Sequence, residues 1–141
     1  MLISSLARYQ KKGAPGETLT KMTLIKDVGI DGDFHAGSPR QISLLSTEIR
    51  RWMDTSPDKG LCFNRFKENI LVEGLKELKV GGLLSAGDAV LRITGAKDRC
   101  HDECGLFSKG TPCRLSEGVF FVSVEQGGTV KIGDLLVCIK G

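Results

Sequence analysis

The segment Arg99–Cys113 concentrates the residues that are most capable of chemistry. It contains one of the two histidines of this 141-residue chain and three of its five cysteines, Cys100, Cys104 and Cys113. Packing alone rarely requires such a cluster in a short segment marked by glycine and proline, whereas thiolates are good ligands for soft metals and carriers of sulfur. The segment therefore predicts a thiolate that binds a metal or a sulfur centre.

Cys100 is the strongest candidate for a reactive thiol. Its immediate neighbours are Arg99 and His101, and Lys97 is close in sequence. Cationic neighbours lower the pKa of a thiol and favour the nucleophilic thiolate. Persulfidation is one of the reversible modifications open to such a thiol, so Cys100 is expected to carry the chemistry of the segment.

Two other interpretations of the cysteines stay open. Free cysteine is a common core residue, so the three thiols could be buried and inert. Alternatively, Cys100, Cys104 and Cys113 could form a structural zinc site with His101 or His35, or hold an iron–sulfur cluster. The Cys-x3-Cys spacing supports a zinc site, whereas the adjacency of Cys100 and His101 and the unpaired Cys113 argue against it.

The glycine-rich loop Gly29–Gly37 is the second informative segment. Its glycines allow backbone conformations and close approaches that other residues cannot adopt. Asp33 and His35 could form an acid–base pair, orient a substrate or stabilise the turn. Further along, Arg40 offers a planar donor fork for a phosphate or carboxylate, or is an ordinary surface arginine.

Several functional classes have no support in the sequence. It contains no Gly-x-Ser-x-Gly nucleophile motif, no phosphate loop and no dinucleotide fingerprint. The net charge is only +3, and the lysines and arginines are scattered, which argues against a nucleic-acid partner.

The cysteine content and the lack of long apolar runs predict the cellular location of the protein. No stretch approaches the roughly 20 apolar residues that span a bilayer, and Met1–Arg8 lacks the features of a signal peptide. We therefore expect a cytoplasmic protein without membrane association, with reduced thiols rather than a disulfide framework. Cys138 lies in an apolar run and is expected in the core.

The chain length predicts one domain, residues 1–141. Residues with β propensity and intervening turns predict strands within Leu2–Ala7, Thr18–Ile25, Arg40–Leu45, Glu68–Val72, Ser85–Ile93, Val119–Val124 and Val130–Ile139. Ser46 is predicted to cap a helix over Thr47–Met53, and Gly127-Gly128 predicts a hairpin.

Many short strands and one clear helix predict the fold class. We expect a mainly β protein: a closed or nearly closed, mostly antiparallel β-barrel with one or two short helices. The cysteine segment would then leave the strand Val90–Thr94 and return into the strand Val119–Val124, so that a rigid sheet holds both of its ends.

Several motifs follow one another in a recognisable order between residues 29 and 134. They are Gly29-x-x-Gly32-Asp33-x-His35-x-Gly37, Arg40–Leu45, Glu68-Asn69-Ile70, Gly87-Asp88, the Cys100 segment, Glu117–Phe120 and Gly133-Asp134. Together they resemble the MOSC domain, the C-terminal domain of molybdenum cofactor sulfurases. The resemblance implies a barrel-like β fold and a role with the molybdenum cofactor (molybdopterin): binding the pterin-bound metal, carrying sulfur to it, or both.

The resemblance also implies roles for particular residues. The family's key cysteine follows a strand and matches Cys100, which would ligate molybdenum or bear a persulfide; Cys104 and Cys113 match a pattern of small stand-alone members and are further candidate metal ligands. The side chains expected to bind the cofactor are Asp33, His35, Arg40, Asn69, Arg99 and His101. Implied partners are the cofactor or its sulfurated form and a sulfur-donor protein or molybdoenzyme.

The resemblance leaves the enzymatic activity open. Related two-domain members reduce N-hydroxylated compounds, but we expect no counterpart of their additional N-terminal β-barrel part in this chain. Pyridoxal phosphate is not expected either, because the chain has no room for the desulfurase domain of the full sulfurases. A small molybdenum-dependent reductase of N-hydroxylated compounds is the catalytic alternative, and a zinc-stabilised structural module is the non-catalytic one.

Overall fold

The structure, a computed structural model, describes residues 1–56, 66–96 and 114–140. These residues form eleven β-strands, the α-helix α1 (Thr47–Thr55) and a 3-10 helix (Arg114–Glu117). In chain order the strands are β1 (Leu2–Arg8), β2 (Glu17–Leu19), β3 (Lys21–Ile25), β4 (Gly29–Ile30), β5 (Ile42–Ser46), β6 (Ile70–Glu73), β7 (Leu83–Ala86), β8 (Ala89–Ala96), β9 (Val119–Gln126), β10 (Gly128–Lys131) and β11 (Leu136–Lys140). The expectation of a mainly β fold is confirmed.

Hydrogen bonding divides the described strands into two sheets. The larger sheet has eight strands in the order β11-β7-β8-β9-β5-β6-β1-β2, and the smaller has three in the order β10-β3-β4. The described strand pairs are antiparallel apart from β5 and β6, which run parallel. Helix α1 lies in the connection that parallel pairing requires.

We expected a closed or nearly closed barrel, and the sheet formed by the described residues is not closed. The large sheet is a curled half-barrel whose strand ladder ends at β11 on one side and at β2 on the other. The start of β1 meets the start of β11 through three backbone bonds: Ile3 N to Asp134 O and Leu136 N to Met1 O, both 2.9 Å long, and Gly133 N to Ile3 O, 2.8 Å. They accompany an isolated β-bridge between Leu2 and Leu135 and do not form a continuous ladder.

Buried aliphatic side chains form two clusters on opposite faces of the large sheet. The main core contains Ile42 and Leu44 from β5, whereas Leu45 from the same strand packs beneath α1 with Ile49 and Phe121. Strand β5 is therefore buried on both faces, which explains why all five of its residues are inaccessible to solvent. Burial of this kind is the main source of stability for the strand.

The predicted start of the helix is confirmed. The hydroxyl of Ser46 accepts a hydrogen bond of 3.2 Å from the backbone N–H of Glu48, as an N-cap residue does. The helix ends at Thr55, two residues later than expected. Its buried residues Ile49 and Met53 are four positions apart and therefore share one face.

Two predictions about strands need correction. The segment Thr18–Ile25 is not one strand, because β2 pairs with β1 in the large sheet and β3 pairs with β10 in the small one. Gly127-Gly128 does not form a hairpin, since β9 pairs with β5 and β8 while β10 pairs with β3. The two glycines instead form the corner at which the chain passes between the sheets.

The placement of Cys138 in the core was wrong. It lies exposed on β11, an end strand of the large sheet whose only ladder partner among the described strands is β7. Its neighbours Val137 and Ile139 are also about half exposed, at 48% and 51%. An end strand lacks the second neighbour that would bury such an apolar run.

No helix in the described part of the chain is both long enough and apolar enough to cross a membrane.

Candidate functional site

The loop that follows β4 turns the side chain of Asp33 into the protein. Its backbone is held by bonds from Asp33 N to Ile30 O, 3.1 Å, and from Phe34 N to Tyr9 O, 2.8 Å. Gly32 has a φ of +88°, and a Cβ atom there would lie 2.9 Å from the Arg8 Nη1 atom. The positive φ favours glycine at this position, whereas the end of the Arg8 side chain is flexible and could move aside.

Three N–H groups converge on the carboxylate of Asp33, and the His35 ring lies beside it. Oδ1 accepts from Tyr9 N at 2.9 Å and from Asn69 Nδ2 at 3.2 Å. Oδ2 accepts from the backbone N of His35 at 3.0 Å and lies 3.3 Å from His35 Nδ1. The side chain of Asp33 is 0% exposed, so its partners are protein groups rather than water. The three N–H donors compensate the burial of this carboxylate.

Asn69 extends this network across three neighbouring strands. Its Oδ1 accepts from the backbone N and the hydroxyl of Ser43 in β5, at 3.0 and 3.2 Å. Its Nδ2 donates to the backbone oxygen of Ala7 in β1, at 3.2 Å, as well as to Asp33. Asn69 itself directly precedes β6 and is 2% exposed. The amide thus ties the Asp33 loop to the sheet.

Arg40 lies against the same face of the sheet. Its guanidinium carbon is 4.5 Å from the centre of the Phe121 ring, within the range of a cation–π contact. Phe121 in β9 is the register partner of Ser43 on one side and of Gly95 on the other. A transverse row across the sheet therefore runs from Gly95 through Phe121 and Ser43 to Asn69.

The connection that carries the cysteines starts and ends beside this row. Strand β8 ends at Ala96, which pairs with Phe120 near the start of β9. The expectation that the segment links these two strands is confirmed. The predicted site residues Arg99, Cys100, His101, Cys104 and Cys113 lie outside the described residues.

The described side chains hold no group of three or more histidine, cysteine, aspartate or glutamate residues arranged for a metal ion. The thiolates expected to bind metal are in the segment 97–113, outside the described residues.

Tyr9 connects the network to a partly buried ion pair. Its hydroxyl donates to the backbone oxygen of Glu68 at 2.9 Å, and the Glu68 carboxylate pairs with Arg50. Burial raises the pKa of Tyr9 to about 12, and the negative charge of Glu68 adds to this increase. Tyr9 therefore remains a neutral hydrogen-bond donor at physiological pH.

The structure brings four of the expected cofactor-binding residues into one region, with different exposures. Asp33 and Asn69 are buried, His35 is partly exposed and Arg40 is exposed. Sequence reasoning missed Tyr9, Ser43 and Phe121. Ser43 did carry a signal, since it is the single polar residue inside the apolar stretch Ile42–Leu45. The backbone N–H of Tyr9 has no sequence signature.

Solved structures of other proteins share this fold. The structure resembles YuaD from Bacillus subtilis with a TM-score of 0.68 and 21% identity, over 96% of this chain and 93% of that one. It resembles YiiM from Geobacillus stearothermophilus with a TM-score of 0.64 and 17% identity, over 99% and 75% of the two chains. It resembles YiiM from Escherichia coli with a TM-score of 0.64 and 19% identity, over 100% of this chain and 71% of that one. At these identities the likeness shows a shared fold.

No curated protein matches the chain significantly in sequence. The model of the MOSC domain, however, matches residues 31–137, a span that runs from the Asp33 loop to β11. This span includes all the described site residues apart from Tyr9. The chain therefore belongs to the MOSC domain family.

Proposed function

We propose that this protein binds the molybdenum cofactor and carries sulfur on Cys100. One observation carries the proposal: the cysteine segment is anchored next to a row of strand residues that ends in the buried Asn69–Asp33 network and the partly exposed His35. A rigid sheet can hold a reactive loop and its supporting side chains in constant relative positions, which a reactive site requires.

The described side chains fit an anionic cofactor. Arg40 is exposed, and it has no acidic partner within salt-bridge distance among the described residues. Its planar guanidinium can bind a phosphate or another anionic group while one face stays on Phe121. His35 adds a partly exposed ring, and Arg99 and His101 are assigned to the same site. When bound, the cofactor supplies a molybdenum centre that accepts soft sulfur ligands.

Cys100 receives sulfur by thiol–persulfide exchange. Its thiolate attacks the terminal sulfur of a persulfide on a donor protein, the donor's S–S bond breaks, and a new S–S bond forms on Cys100. The donor leaves as a thiolate, so the exchange is redox-neutral and needs no added oxidant. Persulfide chemistry of this kind requires reduced thiols, which suits the cytoplasm and a sulfur-donor or molybdoenzyme partner there.

The test compares Cys100→Ser with Cys138→Ser. Cys138 is exposed on β11 and provides a matched loss of one thiol outside the proposed site. After incubation with a low-molecular-mass persulfide, mass spectrometry is expected to find one added sulfur on Cys100 in the wild type and in Cys138→Ser. The Cys100→Ser variant is expected to lose that adduct and at least ten-fold of its molybdenum after cofactor loading, measured by elemental analysis.

Three results would contradict the proposal or favour one of its alternatives. Full sulfur transfer and full cofactor binding by Cys100→Ser would show that Cys100 is not the carrier. Stoichiometric zinc without molybdenum in freshly purified protein would favour the zinc-stabilised structural module. Turnover of an N-hydroxylated compound by cofactor-loaded protein with an electron donor would favour the reductase.

A further inference from the structure

His35 is held on two sides by its own loop. Its Nδ1 atom lies 3.3 Å from Asp33 Oδ2, and its backbone N–H donates to the same oxygen at 3.0 Å. The ring of Phe34 lies against the imidazole, with 3.8 Å between the ring centres and an angle of 37° between the planes. The imidazole remains 35% exposed, whereas the carboxylate beneath it is 0% exposed.

The carboxylate that contacts His35 cannot rotate freely. Its other oxygen accepts from Tyr9 N at 2.9 Å and from Asn69 Nδ2 at 3.2 Å. Asn69 is itself held by Ser43 through two further hydrogen bonds. Turning Asp33 would therefore break its bonds to Tyr9, which follows β1, and to Asn69, which precedes β6. These bonds fix the position of Oδ2 under the His35 ring.

We infer that Asp33 is a positioning residue that holds His35 in one tautomer, with the hydrogen on Nδ1 and the lone pair on Nε2. A carboxylate only accepts hydrogen bonds, so Nδ1 must be the donor at their contact. In neutral imidazole the other nitrogen is then an acceptor. The buried network thus presents Nε2 of His35 as a hydrogen-bond and proton acceptor.

This tautomer indicates which chemical class of group can form a hydrogen bond with His35 Nε2. A ligand or substrate group that forms a hydrogen bond with Nε2 must carry a hydrogen that it can donate: an S–H, an O–H or an N–H. The inference deepens the proposed function and rests on it for the identity of the ligand, for which a thiol and a pterin N–H both qualify. The assignment of the tautomer itself rests on the contacts of Asp33 alone.

Nitrogen NMR of the metal-free, cofactor-free protein tests the tautomer directly. The chain has only two histidines, so labelling with 15N-histidine gives two rings, and His101→Gln identifies the signals of His35. At a pH of about 8.5, where an ordinary histidine is neutral, Nδ1 of His35 is expected to show the shift of a protonated ring nitrogen. Nε2 is expected to show the shift of an unprotonated one.

The variant Asp33→Asn supplies the decisive comparison. With the amide oxygen kept toward Tyr9 and Asn69, the new amide nitrogen replaces Oδ2 and loses the bond from the backbone N–H of His35. It can only donate to His35 Nδ1, which reverses the tautomer. The matched control is Gly37→Ala, which strains the same loop at a φ of +80° but places its Cβ in open space. This control is expected to keep the wild-type tautomer, while Asp33→Asn exchanges the two nitrogen shifts.

Two results would overturn the inference. One is a wild-type spectrum in which Nε2 carries the hydrogen, or in which both shifts are intermediate because the tautomers interconvert. The other is a folded Asp33→Asn protein with unchanged shifts. If Asp33→Asn does not fold, the wild-type spectrum decides alone. Because this measurement uses neither molybdenum nor a sulfur donor, failure of the proposed function would leave its result unchanged.

Discussion

At the scale of single residues, the candidate site depends on buried polar groups that are all paired. In the described part of the chain, no buried side-chain nitrogen or oxygen lacks a hydrogen-bond partner. Asp33 and Asn69 are paired with each other; Asp33 also accepts from Tyr9 N and His35 N, and Asn69 also bonds to β1 and β5. Leaving one member of such a network unpaired costs more than the loss of an exposed hydrogen bond, which makes the arrangement specific.

Ionisation of Tyr9 makes the free energy of unfolding depend on pH in the alkaline range. Burial raises its pKa from 10.0 to about 12, so the unfolded chain loses the phenolic proton first. The contribution of neutral Tyr9 to the free energy of unfolding is therefore fully present below pH 10. It is lost between about pH 10 and 12, which lowers the free energy of unfolding by up to roughly 2 kcal/mol for a shift of this size. Urea unfolding at several pH values measures the decrease, and tyrosinate absorbance follows Tyr9, the only tyrosine.

The control for this prediction is Tyr9→Phe. It removes the ionisation together with the 2.9 Å bond to the Glu68 oxygen, so it should be less stable at neutral pH but show a shallower decrease above pH 10. Lysine ionisation contributes to both proteins and cancels in the comparison. Equal slopes for the two proteins would mean that Tyr9 is not buried in its neutral form.

At the scale of elements, helix α1 approaches the sheet closely at Gly118, the residue that precedes β9. The backbone oxygen of Gly118 accepts from Ser46 N at 2.9 Å, directly at the start of the helix. A Cβ atom at Gly118 would lie 2.5 Å from Ile49 Cγ1 and 2.9 Å from Ser46 Cβ. The absence of a side chain therefore decides how closely the helix approaches β9.

We expect Gly118→Ala to lower the free energy of unfolding by about 1–3 kcal/mol, because Ile49 is buried and the helix must shift to admit the methyl group. Gly95→Ala is the matched control, since a Cβ atom there meets only Phe121 at 3.9 Å. Its stability should remain within about 0.5 kcal/mol of the wild type. Urea denaturation followed by circular dichroism measures both, and equal stability of the two variants would contradict the contact.

At the scale of the whole molecule, the two sheets are joined at the glycine corner between β9 and β10. The Gln126 side chain donates to Asp88 O and Asp88 N donates to Thr129 O, each at 3.3 Å. A Cβ atom at Gly128 would lie 2.7 Å from the carbonyl carbon of Asp88. Backbone atoms cannot move aside as side chains do, so this corner couples the small sheet to the β7–β8 turn.

Gly128→Ala is accordingly expected to weaken both sheets. Separation of the corner from Asp88 should lower the free energy of unfolding by about 1–3 kcal/mol. Hydrogen exchange measured by mass spectrometry should become faster in β3 and β10 and also in the turn at Asp88. Faster exchange in the small sheet alone would show that the corner does not couple the two sheets. Gly95→Ala again serves as the reference.

Local features of the sequence predicted much of the fold. The helix start at Ser46 and most strand positions follow from capping and β propensity, which act between residues close in the chain. The split of Thr18–Ile25, the lack of a Gly127-Gly128 hairpin and the exposure of Cys138 escaped prediction. Each depends on which distant strand lies alongside, and residue preferences do not encode that choice.

By itself the sequence determined the family, since its motifs already resembled the MOSC domain that the family model matches over residues 31–137. It also singled out Asp33, His35, Arg40 and Asn69. Only the tertiary structure decided that Asp33 and Asn69 are buried beneath His35 rather than exposed beside it. Asp33 and Asn69 are 36 positions apart, and strand pairing, together with the burial of the sheet's faces, brings them within one hydrogen bond.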